Sequence, residues 1–592
     1  MQLIKDGIYY GNGLGHDEEI KVAVEIKANM IKSVNVLNRE ETNNLANQAI
    51  NKTTQEIVET QSFMVDVVSG ASETSKGILK ATEEALKTIP DINIGNFIDY
   101  RHKKSNDFFK IKNKNLNEEK IVWKNESDVV IIGGGAAGLS AAIEAAQNNS
   151  SVYVVEYNAS YLASNTALCG GVYYSGCTSL QKKAGIQDSK EEWKKYIRAT
   201  GEGYENSNLM EVWVEKAPEN LDWLIKLGVD FPLKNIYMSG NEEALSSITK
   251  PVPRGYITKE QSGSSISKAL YNEAVRLGVK FSFNTIAQKL LTNQKSEIIG
   301  VSTNKGNLKA KQGVVIASAG FSRNKEWIKS FKPDLLNGGS FGSSRQNGDG
   351  IRMAMDLGAN IANMWITQAD TIGTKISESM WPCMVIAIWG LPCIFVSSDG
   401  KRHVPEDMYY EYQSKEIAKQ NGGFVWSIWD QSVTDRGSES ITVPACSKNC
   451  ELEIKNGYFK KADTIEELAK KINIDPNVLT KTVEKYNEMM EKGVDNQLGR
   501  KKGLGKVNNG PFYAAKTTPA TCDTAGGLCI DDNSQVLDVW NKPIPKLYAA
   551  GSTTSGWRGK IYQGSGTAIS IAVTFGRIAG KSVSQKESKK ES

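Results

Sequence analysis

An α/β fold is what this chain predicts, with an α+β domain inserted into it and a small α+β module ahead of it. Three observations lead there. Residues 128–156, DVVIIGGGAAGLSAAIEAAQNNSSVYVVE, read strand, Gly-rich turn, helix, strand, acid. Two further strand-like segments, GVVIASAGF at 313–321 and KLYAAG at 546–551, recur far downstream and belong to the same sheet. Between them, residues 367–511 differ in character: Trp381, Trp389, Trp426 and Trp429 are followed by a helical pattern from Ile465 to Met490.

Taken in order, residues 1–90 read as the small module. KVAVEIKANMIKSVNVL alternates as two strands about a turn at Ala28 and Asn29, and a helix runs from about Ser75 to Thr88. Residues 91–125 carry a charged run and read as a linker. The dinucleotide-binding (Rossmann-like) domain follows. Val129 to Ile132 form the β-branched run of a buried parallel strand. Gly133 allows the tight turn, Gly135 lets backbone approach a pyrophosphate, and Gly138 lets the helix pack on the strand. The helix N-terminus offers free N–H groups and a positive dipole end to phosphates. Glu156 closes the second strand, where a carboxylate binds ribose hydroxyls. This domain is expected over 126–366 and again over 512–582, interrupted by the 367–511 insert. The Lys-rich end, 583–592, is expected to be a disordered, solvated tail.

Bulk properties exclude several classes. A net charge of +5 on 592 residues, with no basic stripe interleaved with aromatics, argues against nucleic acid. MQLIKDGIYYGNG lacks the apolar run of a signal peptide, and no stretch reaches membrane-spanning length. A cytoplasmic protein is expected. Eight cysteines and three histidines form no disulfide framework, zinc set or haem attachment motif, so no metal site is expected.

The segment DVVSGASETSKGI holds Asp66, Ser69, Gly70, Ala71, Ser72, Thr74 and Ser75. By local physics it is a Gly-containing turn with hydroxyl caps before a helix. It also resembles the motif of FMN-binding domains, in which FMN is held through a phosphoester to the last residue of S-G-A-[ST]. That residue is Ser72 here, where the family usually has Thr. The resemblance implies a small N-terminal FMN-binding domain, FMN attached covalently at Ser72 by a flavin transferase, and an electron relay fed by a separate donor protein or reductase.

Residues 126–582 resemble flavoproteins of the fumarate reductase and 3-ketosteroid dehydrogenase superfamily. The segments that carry this are the fingerprint, SNTALCGGV, VVIASAGFSRN, NGDGIRMAMDLGA, DGKRHVPED, LYAAGSTTSG and YQGSGTAISIAVTFGRIAG, in family order. The implied cofactor is FAD, under a capping domain. The implied FAD residues are Gly133, Gly135, Ala137, Gly138, Glu156, Ser164, Asn165, Thr166, Gly170, Gly171, Ala317, Gly350, Gly551, Ala568 and Ile569.

On the substrate side the chain departs from fumarate reductases. Their His positions read Asp370 and Asp523, the proton-donating Arg reads Tyr410, and the carboxylate-binding Arg falls on Tyr562 or Gln563. A dianion facing two carboxylates and no matched cation is disfavoured. The resemblance to ketosteroid dehydrogenases implies instead that Tyr410 protonates the α-carbon of an apolar enone, such as a 3-oxosteroid. It also implies that Tyr562 O–H and Gly566 N–H bind the carbonyl oxygen while reduced FAD gives hydride to the β-carbon. Asp370, Asp523, Trp557 and Arg558 are the expected substrate-side residues, with the two acids also reading as hydrogen-bonded structural groups and Trp557 as ordinary core. Two alternatives remain open. One is an enoate reductase for a monocarboxylate (arylacrylate, urocanate or a fumarate-like acceptor), held by Arg558 or Arg254. The other is a flavin electron carrier with no substrate of its own.

Overall fold

The structure, a computed structural model, describes residues 5–14, 19–37, 44–63, 65, 72–90, 121–336, 338–340, 342–374, 391–435 and 450–585. The chain divides into two compact units, Met1–Lys120 and Ile121–Ser592.

In the first unit, strands Gly7–Leu14, Glu19–Lys27 and Met30–Val36 form an antiparallel sheet. Ala28 and Asn29 make the expected turn, both at positive φ (52° and 65°), the geometry of a two-residue hairpin. Alternation along Glu19–Lys27 buries Val22, Val24 and Ile26. The helices Asn44–Thr60 and Ser72–Lys87 supply Ile57, Ile78 and Ala81 to the same core. The second helix starts at Ser72, three residues before the expected position. Ser75 is therefore not a cap: it is buried, and Thr53 Oγ1 donates to its Oγ at 3.2 Å, joining the two helices. Residues 66–71 and 91–120 lie outside the described residues, as do the side chain of Ser72 and the tail from 586.

The second unit is built on an eight-stranded sheet. Its centre is parallel: Gly306–Ile316, Trp123–Ile132, Val152–Val155 and Lys280–Ser282 lie side by side. Leu547–Ala549 adds to Val314–Ile316, also parallel. The downstream segments thus join the first strand in one sheet, as their composition predicts. The central strand begins at Trp123, inside the expected linker, because its first residues pair with the N-terminal half of Gly306–Ile316. Helices Ala136–Gln147 and Thr567–Ser584 pack on the sheet and on each other.

The insert has its own six-stranded sheet, but its limits differ from 367–511. The strand Phe512–Thr524 is its spine. It pairs antiparallel with Thr367–Thr374, Val425–Asp430 and Phe459–Ala462, and parallel with Gly339–Ser340. Thirteen residues of nearly unbroken burial let one strand serve both the insert and the return to the first sheet. The expected long helix is two, Ile465–Lys471 and Pro476–Glu491. Asn473 at φ 57° breaks the first, and Asp475 caps the second, with Pro476 in the first turn. Trp381 and Trp389 lie outside the described residues. A small sheet of Val172–Tyr174, Gly255–Ile257 and Ile236–Tyr237 completes the unit, and a bridge from Gly240 to Gly564 ties it to the C-terminal loop. Among the described residues no helix is long and apolar enough to cross a membrane.

Candidate active site

The fingerprint opens a cleft. Gly133 sits at φ 110°, and a Cβ there would lie 2.2 Å from Ala317 O. A Cβ on Gly138 would lie 1.9 Å from Gly133 O, so turn and helix meet only because Gly138 lacks one. Gly135 is the N-cap of Ala136–Gln147 and brings no side-chain cap, leaving the helix end turned to the cleft. Gly133, Gly135, Ala137, Glu156, Ser164, Asn165, Thr166, Ala317, Gly350 and Gly551 all line it. Gly138, Gly170, Gly171, Ala568 and Ile569 are not among its lining residues; Gly138 and Gly171 meet protein backbone instead.

The cleft suits FAD. Its helix N-terminus matches a pyrophosphate, and two of its buried groups, Ser318 Oγ and Gln346 Nε2, have no protein partner. Glu156 lines the cleft; burial raises its pKa, opposed by N–H groups of Asn158 and Gly134 at 2.7 and 2.6 Å. Sequence reading missed Tyr157 and Arg345. Arg345 Nη1 donates to Tyr157 Oη at 2.8 Å and its guanidinium lies 4.0 Å from that ring's centroid, walling the cleft. The only sequence signal for Arg345 was its place just before NGDG.

Asp523 is fully buried at the end of the spine strand. It accepts from Gly320 N (3.1 Å), Thr524 N (2.8 Å) and Asn165 Nδ2 (3.0 Å). Burial pushes its carboxyl up to about 7 against these donors. The expectation of substrate contact is corrected: both oxygens are taken by the protein, and the residue clamps the Ser164–Thr166 loop to the sheet. The side chain of Asp370 lies outside the described residues. Trp557 is also corrected, from substrate wall to core, being 1% exposed with Nε1 donating to Thr554 O at 2.9 Å.

Three tyrosines meet elsewhere in the unit. Tyr409 precedes the helix Tyr410–Ala418. Its hydroxyl lies 3.1 Å from that of Tyr410 and 2.8 Å from Tyr562 O. Tyr562 Oη accepts from Ala568 N at 3.0 Å, at the start of the 18-residue helix Thr567–Ser584. Burial raises the pKa of Tyr409, Tyr410 and Tyr562, so all three are neutral donors at pH 7. Gly566 adopts φ 100°, and a Cβ there would lie 2.7 Å from Tyr173 C. Sequence separation hides this cluster: Tyr409 and Tyr562 are 153 residues apart.

Sequence reading also missed Glu411. It is 1% exposed, accepts from Arg558 Nη2 at 2.7 Å, and accepts from Tyr562 N at 2.5 Å. Arg558 also donates to the carbonyls of Thr367, Gly559 and Lys560. This corrects Arg558 as a substrate ligand: each of its nitrogens already serves the protein. Arg254 is paired through Nε and Nη2 with Asp188 at 2.8 and 2.7 Å, while its buried Nη1 has no hydrogen-bond partner among the described residues.

Nearby, Glu242 is buried under Tyr174, Tyr196, Tyr237 and Arg254, and burial pushes its carboxyl up to about 7 from 4.5. The folded protein then holds a proton that the unfolded chain releases. Its stabilising contribution is complete below about pH 4.5 and is lost as pH rises through about 7. Glu242→Gln is expected to flatten the fall in melting temperature between those limits. An unchanged slope in thermal melts across pH would assign the fall to another group.

The comparisons agree with this geometry. The FAD binding domain family matches residues 128–569, and the FMN-binding domain family matches residues 15–87. The chain is 29% identical over 459 residues to a fumarate reductase (cytochrome) of Shewanella frigidimarina, covering 77% of this chain and 76% of that one. It is 28% identical over 583 residues to a urocanate reductase of Eggerthella lenta, covering 96% and 91%. Its structure resembles a 3-ketosteroid-Δ4-(5α)-dehydrogenase from Rhodococcus jostii RHA1 in complex with 4-androstene-3,17-dione, with a TM-score of 0.61, 29% identity, and 78% and 98% covered. A fingerprint cleft shaped for FAD and a family match over most of the length together show that the chain belongs to the FAD binding domain family, as a flavin-dependent oxidoreductase of the fumarate reductase and 3-ketosteroid dehydrogenase superfamily with an FMN-binding domain at its front.

Proposed function

We propose that this flavin-dependent oxidoreductase, acting on CH–CH bonds as its relatives do, reduces the activated C=C bond of an apolar enone such as a 3-oxosteroid. Bound FAD supplies the hydride. The chain's residues do the rest. Tyr562 O–H and Gly566 N–H bind the carbonyl oxygen as negative charge develops there, in the manner of an oxyanion hole. Tyr410, kept protonated by burial, gives its proton to the α-carbon. Ser72 would hold FMN through a phosphoester made by a flavin transferase, and that group would supply electron relay from a separate donor protein. The observation that carries the substrate class is the commitment of Arg558 to Glu411 and of Arg254 to Asp188. Every nitrogen of Arg558 is in use and Arg254 keeps only its buried Nη1 unpartnered, while the clustered tyrosines are neutral donors suited to a ketone.

A second reading is an enoate acceptor, favoured by the likeness to urocanate reductase across both domains. Stopped-flow reoxidation of chemically reduced, flavin-loaded protein decides between them. 4-Androstene-3,17-dione is expected to accelerate reoxidation and urocanate is not. The reverse result would move the substrate to the enoates, and acceleration by neither, nor by any of a wider acceptor panel, would point to an electron carrier.

A further inference from the structure

The turn 562–566 carries both donors proposed for the carbonyl oxygen, with Gln563, Gly564 and Ser565 between them. Gly566 is the N-cap of the helix Thr567–Ser584, and Ala568 N in the first turn of that helix donates to Tyr562 Oη at 3.0 Å. The phenol oxygen and Gly566 thus belong to one helix end. Glu411 fixes the start of the turn at Tyr562 N. Its middle is gripped by a second segment, residues 239–242. Ser565 N donates to Ser239 O at 3.0 Å, and Gly240 forms an antiparallel bridge to Gly564. Tyr196, on the helix Lys190–Gly201, joins the two segments through one hydroxyl. Its Oη donates to Gln563 O at 2.5 Å and accepts from Asn241 N at 2.9 Å. So close an approach requires glycine: a Cβ on Gly240 would lie 1.9 Å from Gln563 O and 2.5 Å from Tyr196 Oη. Glu242 holds the second segment in turn, accepting from Gly240 N at 2.8 Å and from Tyr174 Oη at 3.3 Å. Tyr196 and Glu242 are both fully buried, so water does not compete for these bonds.

We propose that Tyr196 is a positioning residue for the carbonyl subsite: its hydroxyl, clasped between Gln563 O and Asn241 N, sets the spacing of the Tyr562 O–H and Gly566 N–H donors. The inference rests on the role proposed for those two donors. An oxyanion site works only when its donors already stand at about 2.7–3.1 Å from the oxygen as charge develops. A misplacement of about 1 Å costs on the order of a hundredfold in rate. A turn with glycines at 564 and 566 has little stiffness of its own, and the clasp supplies the constraint. The Tyr196 hydroxyl is occupied by protein on both sides, so it acts through the turn and not on the substrate.

Tyr196→Phe keeps the ring and removes the clasp. In flavin-loaded, chemically reduced protein, stopped-flow reoxidation by 4-androstene-3,17-dione is expected to slow about 10-fold to 100-fold. Reoxidation by ferricyanide, which takes electrons from flavin and has no carbonyl to bind, is expected to match wild type. In a Tyr562→Phe background the same substitution is expected to slow the reaction by a smaller factor, because one of the two donors it positions is already gone. Gly240→Ala, whose added methyl group pushes on Gln563 O, tests the clasp from the facing segment and is expected to show the same pattern. FAD content is read from visible absorbance. A wild-type rate in Tyr196→Phe, or an equal factor in both backgrounds, would overturn the inference. So would slowing that extends equally to ferricyanide, or loss of FAD from both clasp variants, since either makes the clasp a general support of the flavin site. The proposed reaction fails separately, and with Tyr196 intact. A Tyr562→Phe variant as fast as wild type would overturn the carbonyl role, and wild-type protein that 4-androstene-3,17-dione does not reoxidise would overturn the substrate.

Discussion

Arg558→Ala is expected to cost about 3–5 kcal/mol of stability, the range for a buried ion pair that loses one partner. The cause is Glu411. Both side chains are 1% exposed, and the buried carboxylate loses the guanidinium it is paired with. Three carbonyls, from Thr367, Gly559 and Lys560, lose their donor at the same time. The loss falls on the loop that carries Tyr562, since Glu411 also holds Tyr562 N. Chemical denaturation of the flavin-loaded protein measures it. The double variant Arg558→Met with Glu411→Leu is expected to recover much of the loss, because it removes both charges. A single variant as stable as wild type, but deficient with urocanate, would make Arg558 a substrate ligand after all.

Tyr410→Phe is expected to slow reoxidation by 4-androstene-3,17-dione by about 10²–10⁴-fold, the usual contribution of a positioned general acid. The ring remains, so packing against Tyr409, whose ring centroid lies 4.3 Å away, is kept. Flavin content and chemical reduction are expected to be unchanged. Stopped-flow absorbance separates the two half-reactions. The neighbour gives the contrast: Tyr409 is directed to Tyr562 O at 2.8 Å, and Tyr409→Phe is expected to lose far less rate. If the ranking is reversed, Tyr409 is the acid.

What was legible in the sequence was whatever local chemistry determines. The Gly133 turn, the helix behind it and Glu156 are written within thirty residues, and each has a steric or electrostatic reason for its type. The hairpin at Ala28 and Asn29 was legible for the same reason. Charges were not. Arg558 in isolation looks like a free cation beside a flavin, and only folding shows that Glu411, 147 residues earlier, has taken it. Asp523 could be read as a structural acid, but its donors, Gly320 N, Thr524 N and Asn165 Nδ2, are brought together only by folding. The limits of the insert were blurred because Phe512–Thr524 is buried along nearly its whole length, and burial alone does not say which sheet a strand serves.

The pairing of Leu547–Ala549 with Val314–Ile316 has a consequence for biogenesis. The last parallel strand and the helix Thr567–Ser584 that follows it come from the final stretch of the chain. On the ribosome, the first strand, turn and helix of the cleft emerge more than four hundred residues before Gly551, which lines its far side. Until then the edge of Val314–Ile316 is open and the buried face of Ala136–Gln147 lacks its partner helix. A complete cleft thus requires segments more than four hundred residues apart, and until they meet the nascent chain carries an open sheet edge of the kind that chaperones shield.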